Sequence, residues 1–225
     1  NSTALHFQTA TSEVATTKMV IDEDGKVGIG TAVIPHGGTG YAKLAIEGAN
    51  ASSAGPHVQF TTASDDYPIM QIIPYQHDDM AFMFDAYYDG AYKSSDAGSN
   101  YRIVKDSDKF QIQYDSGIAA GSAITWNSGI VLDAAGRVGI GVAAPGQLLH
   151  VGDITADQNT WIRIACDTDN DCGIILDEEG TVMWYVFNDG DNANKLFITD
   201  ESGDGAIMTQ NETSAWDWTS DINLK

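Results

Sequence analysis

Apolar and polar residues alternate with a period of two along much of the chain. In Lys109-Phe110-Gln111-Ile112-Gln113-Tyr114, the side chains of Phe110, Ile112 and Tyr114 share one face and the polar residues share the other, as in a half-buried strand. His57-Val58-Gln59-Phe60, Met80-Ala81-Phe82-Met83-Phe84 and Ala123-Ile124-Thr125-Trp126 read the same way, each bounded by Gly, Asp, Ser or Asn clusters. Apolar spacing of three to four never persists for about ten positions, and β-branched and aromatic residues fill the periodic segments. The expected fold is all-β.

Two segments repeat one another. Val20-Ile21-Asp22-Glu23-Asp24-Gly25-Lys26-Val27-Gly28-Ile29-Gly30 and Val131-Leu132-Asp133-Ala134-Ala135-Gly136-Arg137-Val138-Gly139-Ile140-Gly141 each read as a strand, an acidic turn closed by Gly, and a Val-Gly-Ile-Gly strand. A proline follows each copy (Pro35, Pro145), then a short apolar run at Leu44-Ala45-Ile46 or Leu149-His150-Val151. A weaker third copy, Ile174 to Val182, keeps the turn and then departs into Met183-Trp184-Tyr185. A repeated hairpin of this size implies a modular, elongated architecture. Such a glycine-laced unit cannot bury its own Val27, Ile29, Val138 and Ile140, so partners from other copies or other chains are required. Three-fold association hides every strand edge of a slender β shaft. The glycines of Gly28-Ile29-Gly30 lack the strand-to-helix context of a phosphate loop and are expected to pack closely about the shaft axis.

The organisation expected from these signals is a stalk repeat over residues 1–50, an antiparallel β-sandwich inserted at 51–129, a second stalk repeat at 130–154, and a hairpin module at 155–219. The formal net charge of -21 repels phosphate backbones and anionic membranes, which argues against a nucleic-acid partner. No stretch approaches the roughly 20 apolar residues of a membrane-spanning helix.

Candidate chemistry is sparse. The two cysteines, Cys166 and Cys172, flank Asp167-Thr168-Asp169-Asn170-Asp171 between apolar runs, so a hairpin there brings the sulfurs together as a disulfide; the alternative is two small buried residues. Asp167, Asp169 and Asp171 alternate, with Glu178 at the last position of a twelve-residue calcium loop, which suggests Ca²⁺. Against it, Cys172 stands where the loop needs Gly and the flanks read as strands, so a solvated hairpin turn is the alternative. His6, His36, His57, His77 and His150 show no ligand spacing. Tyr87, Tyr88, Tyr92 and Lys93 are the best candidates for gripping a sugar at a loop tip, with core packing as the alternative.

The Asp-x-x-Gly-(Lys or Arg)-Val-Gly-Ile-Gly signature followed by Pro, at Asp22 to Pro35 and Asp133 to Pro145, resembles the stalk element of phage and viral tail fibres and tailspikes that end in an endosialidase-type intramolecular chaperone. Ser220-Asp221-Ile222-Asn223-Leu224-Lys225 is similar to the opening of that chaperone, except that Asn223 stands where the family has Arg. The resemblance implies that residues 220–225 begin a cleavable chaperone, with Ser220 as nucleophile, Lys225 as its activating base and the Thr219–Ser220 bond as the one cut. It further implies a homotrimeric fibre on the outside of a virion that joins other tail proteins and attaches to a host-surface receptor, glycan or protein, without turning over an external substrate. Two rivals stand beside it: a tailspike depolymerase, for which no pair of carboxylates can be singled out, and a cellular trimeric adhesin or structural filament.

Overall fold

The computed structural model describes residues 3–10, 15–34, 41–49, 55, 57–152, 160–167, 170–188, 195–200, 205–210 and 216–219. Every regular element among them is a strand: β1 (Leu5–Thr9), β2 (Thr16–Ile21), β3 (Val27–Ile29), β4 (Leu44–Ile46), β5 (Val58–Phe60), β6 (Met70–Gln76), β7 (Asp79–Phe84), β8 (Ala86–Tyr88), β9 (Tyr92–Ser94), β10 (Gly98–Asp106), β11 (Lys109–Ile118), β12 (Asn127–Asp133), β13 (Val138–Ile140), β14 (Leu149–Val151), β15 (Cys172–Glu178), β16 (Thr181–Asn188), β17 (Lys195–Thr199), β18 (Gly205–Gln210) and β19 (Trp216–Thr219). The all-β expectation holds. The chain divides into two compact units, Asn1–Thr160 and Trp161–Lys225.

The first unit holds a four-stranded sheet in the order β1-β2-β3-β4, an eight-stranded sheet in the order β14-β13-β12-β11-β10-β7-β6-β5, and the two-stranded β8-β9 ribbon. The strands of the central segment other than β8 and β9 therefore belong to one sheet with those of the second repeat. This corrects the expected division at residue 129: β12 pairs directly with β11, so no self-contained sandwich is inserted between separate stalk elements. The second layer over this sheet is small, made of the β8-β9 ribbon and the segment 119–126.

The two sequence repeats fold alike. In each, an antiparallel hairpin (β2-β3, β12-β13) is followed by a strand parallel to its second arm (β4, β14). In each, an additional strand, β1 or β11, pairs antiparallel with the first arm, and the register shifts at equivalent places, between Phe7 and Gln8 and between Ile112 and Gln113. A bulge kept at one position of two repeats is a specified feature of the unit.

Chemistry fixes the repeated turn. Asp133 Oδ1 accepts hydrogen bonds from the backbone amides of Ala135 and Arg137, each at 3.0 Å, as Asp22 Oδ1 does from Asp24 at 3.0 Å and Lys26 at 2.8 Å. Gly25 and Gly136 take the left-handed φ of 72° and 75° that closes the loop, a region open to Gly at little cost. The cation after each Gly pairs within its turn: Arg137 Nε and Nη2 lie 2.8 and 2.7 Å from Oδ2 of the capping Asp133, whereas Lys26 Nζ lies 2.9 Å from Asp24 Oδ2 and 3.8 Å from Oδ2 of the capping Asp22. These bonds from Arg137 hold the Asp133 carboxyl below its ordinary pKa.

The second unit is a five-stranded antiparallel meander, β15-β16-β17-β18-β19. Its first hairpin carries the weaker third copy, and here the expectation of a shared turn fails. Glu178 pairs with Thr181, leaving a two-residue loop in which Glu179 and Gly180 are both left-handed, at 53° and 81°. That is the geometry of a tight primed turn, distinct from the Asp-capped loop of the other two copies.

Candidate interaction surface

The pairing registers of the eight-stranded sheet line its apolar residues up in rows. One row crosses all eight strands: Val58, Ile72, Phe82, Ile103, Ile112, Ile130, Ile140, Val151. Beside it run Phe60, Met70, Phe84, Tyr101, Tyr114 on one flank and Pro74, Met80, Lys105, Phe110, Leu132, Val138, Leu149 on the other. Neighbours in such rows stand ~4.5–5.5 Å apart and form one continuous surface. Lys105 is the only charged member. Its ammonium turns to Asp78 Oδ1 at 2.6 Å and to the Ser107 carbonyl at 2.7 Å, at the hairpin end of the sheet.

This apolar face is open. Phe82 is 48% exposed, Phe110 52% and Tyr101 52%. The opposite face, which meets the β8-β9 layer, is closed and largely polar. Gln71, Asn100, Arg102, Gln111, Gln113 and Asp115 are all buried there, among Ile73, Ala81, Met83 and Val104. The polar groups are tied into the layer. Arg102 Nε donates to Gln113 Oε1 at 2.6 Å, Gln113 Nε2 donates to Gln111 Oε1 at 3.0 Å, and the Arg102 guanidinium lies 4.7 Å from both the Tyr92 and Trp126 ring centres. Burial pulls the Arg102 pKa below its ordinary value, against the opposing pull of Tyr92, Asp79 and Asp106. Gln71 Oε1 accepts from the Tyr88 amide at 2.7 Å, Asp115 Oδ2 accepts from the Thr125 amide at 2.8 Å, and Asn100 Nδ2 donates to Ser94 Oγ at 2.8 Å and to the Asp85 carbonyl.

The period-two phase read from the sequence is therefore right, while the burial it suggested is inverted within the single chain. The sequence reading missed Arg102, Gln111, Gln113 and Asn100 as core residues. Their signal is present as polar side chains in phase across β10 and β11, but alternation alone does not say which face is covered.

The four-stranded sheet repeats the arrangement. Leu5, Ile21, Val27 and Leu44 form one row and Phe7, Met19, Ile29 and Ile46 the next, equivalent to Phe110, Leu132, Val138, Leu149 and to Ile112, Ile130, Ile140, Val151. Leu5, Phe7, Ile29, Leu44 and Ile46 are exposed, and Val20, on the opposite side, is buried.

Several candidate residues take other roles. Tyr87, Tyr88 and Tyr92 do not stand at an exposed loop tip. Tyr87 is buried and stacks on Tyr67 with ring centres 5.0 Å apart, while Tyr88 and Tyr92 pack against the core below the β8-β9 ribbon. Lys93 is half-buried and pairs with Asp89 at 2.8 Å. The reason is the shortage of cover on this side of the sheet, which these rings supply.

The repeat glycines lie where the chain approaches itself closely. A Cβ on Gly28 or Gly139 would collide with the carbonyl oxygen of Thr31 or Val142, where the chain folds back over its own strand, and Gly30 and Gly141 adopt φ of 74° and 73°. Gly28, Gly30, Gly139 and Gly141 thus each have close neighbours within the chain.

Cys166 and Cys172 form a disulfide with Cα atoms 5.6 Å apart. Glu178, the last position of the twelve-residue calcium loop, ends β15, a strand that runs from Cys172 over about 20 Å at ~3.3 Å per residue. Among the described residues no group of three or more His, Cys, Asp or Glu side chains is arranged to hold a metal, and Asp169 lies outside them. Ser220 and Lys225 likewise lie outside the described residues. No protein-family model matches the chain, and no curated protein matches it.

Proposed function

We propose that this chain is a subunit of a homotrimeric viral attachment fibre, in which its repeated β units form the shaft and the trimer presents a receptor-binding surface to a host cell. One observation carries the reading: a hairpin unit built twice to the same register, bulge and turn, whose apolar rows face away from the chain's own core. A unit that buries its polar side and leaves its apolar side open is suited to a structure completed by association, and a shaft of repeated units is what such association extends. The formal charge of -21 per chain fits a particle that works in saline surroundings, where repulsion is screened within ~10 Å. In this reading the protein sits on the virion exterior, joined to other tail proteins, and is not an enzyme toward the host surface. The Thr219–Ser220 bond is the junction at which a longer precursor splits.

Two measurements test it together. Light scattering is expected to give a particle of three 24.1 kDa chains. Antibodies raised against that particle are expected to label virion tails and block adsorption. Antibodies that label a cell surface in place of a virion would transfer the protein to the cellular adhesins.

A further inference from the structure

We infer that the three-row apolar face of the eight-stranded sheet is the surface on which further copies of this chain seat, and that the matching rows of β1 to β4 form a second seat of the same kind. The inference rests on the assembly proposed above and names its contact.

Area is the first argument. Phe60, Met80, Phe82, Phe84, Tyr101, Phe110, Ile112, Tyr114, Ile130, Leu132, Ile140 and Leu149 are each about two-fifths to three-fifths exposed on one side of one sheet. Large side chains of this kind offer ~150–250 Å² each when free, so the face leaves on the order of 1,000 Å² of apolar surface open. The largest apolar patch on a typical monomer is ~300–600 Å². A stable partner covers ~800 Å² per side, so the face has the size of one protein interface.

Chemistry selects the occupant. A lipid surface is disfavoured, because a chain of net charge -21 is repelled by anionic headgroups and the rows carry one cation, Lys105, already paired with Asp78. A nucleic acid is disfavoured for the same reason. A second copy meets no such conflict. The acidic turns at Asp22 and Asp133 lie at hairpin ends with their own Lys26 and Arg137, so the apolar rows meet without opposing carboxylates. The duplication adds an independent argument. The equivalent rows in the two repeats carry the same residue classes at the same register, which is expected when both seat the same partner.

The layer under β8-β9 is bonded within one chain, through Arg102, Gln113 and Asn100, so none of these bonds draws on the apolar face.

The test is a comparison of solution mass for the full chain and for Ile112→Lys and Ile130→Lys, with Ala135→Lys in an exposed turn as control. The expected result is loss of the assembled species in both row variants, with the far-ultraviolet β-sheet spectrum and protease resistance of a folded chain, and an unchanged mass for Ala135→Lys. An assembled particle that survives both row substitutions overturns the inference while leaving the assembly intact. A full chain that stays monomeric at all concentrations, or takes up detergent or vesicles by this face, overturns the inference and the assembly together. Should the lysine variants fail to fold, Ile130→Cys in the otherwise unaltered chain is expected to be joined between chains by a short bismaleimide while Ala135→Cys is not; absence of that cross-link overturns the inference.

Discussion

The two faces of the eight-stranded sheet invert the usual relation between polarity and burial. Gln111 on β11 is 5% exposed, whereas its neighbour Phe110 is 52% exposed. On the inner face, hydrogen bonds with few alternatives determine how the β8-β9 ribbon sits: an unpartnered Gln or Arg under that layer costs ~1–3 kcal/mol, so a shifted ribbon is penalised at several points. On the outer face the rows are aliphatic or aromatic except for Lys105, offering area with little directionality. A sheet arranged this way ties one face to the rest of the chain by polar bonds and leaves its apolar face uncovered within the single chain.

The largest effect that sharpens this contrast belongs to the inner face. Met83 is fully buried within the small core, and Met83→Ala is expected to cost about 2–5 kcal/mol of stability. Urea unfolding checks it, and the loss should also be found in a dissociated chain carrying Ile112→Lys. A Met83→Ala midpoint that falls only in the assembled protein would mean that the inner layer is not the chain's own core.

Next comes Gly139. Because a side chain there strikes the Val142 carbonyl of the same chain, Gly139→Val is expected to destabilise the chain itself by about 1–3 kcal/mol of overpacking, on the face opposite the open rows to which its neighbours Val138 and Ile140 belong. An axial role would show the reverse, with normal chain stability and lost assembly. Differential scanning calorimetry of Gly139→Val in the Ile112→Lys background separates the two.

The smallest effect concerns the repeated turn. The Asp133 carboxyl is held below its ordinary pKa of 3.8, first by Arg137, so its contribution is present above that value in full and is lost as pH falls through the lower, folded-state value. Acidification below about pH 4 is therefore expected to weaken the turn of the second repeat. Asp133→Asn should remove that part of the acid sensitivity, as read from melting temperature against pH, and an unaltered profile would count against the pairing.

In the two full repeats the sequence was legible where chemistry is local, whereas the turn of the third copy was not. Asp133 and Gly136 announce their turn because an acid that caps two amides and a glycine that closes the loop act over four residues. The period-two phase of Phe110, Ile112 and Tyr114 is likewise local to a strand. Two things were not legible. Which face of β11 is covered depends on where Tyr88, Tyr92 and Trp126 fold back from elsewhere in the chain, and no window around Gln111 contains that fact. The same holds for Tyr87, whose stacking on Tyr67 joins residues twenty positions apart, and for Gly139, whose neighbour is set by the path of the chain after Gly141. The apolar rows needed register as well as alternation. Ile103 and Ile130 are neighbours of Ile112 only through the pairings on either side of β11.

The most direct test is radical footprinting of the assembled protein, with oxidation of individual aromatic side chains read by mass spectrometry. Tyr41, 99% exposed, and the buried Tyr87, 6% exposed, supply the two reference rates in one experiment. The account predicts that Phe82, Tyr101, Phe110 and Tyr114 are protected as strongly as Tyr87. Oxidation of these four at rates approaching that of Tyr41 would contradict it.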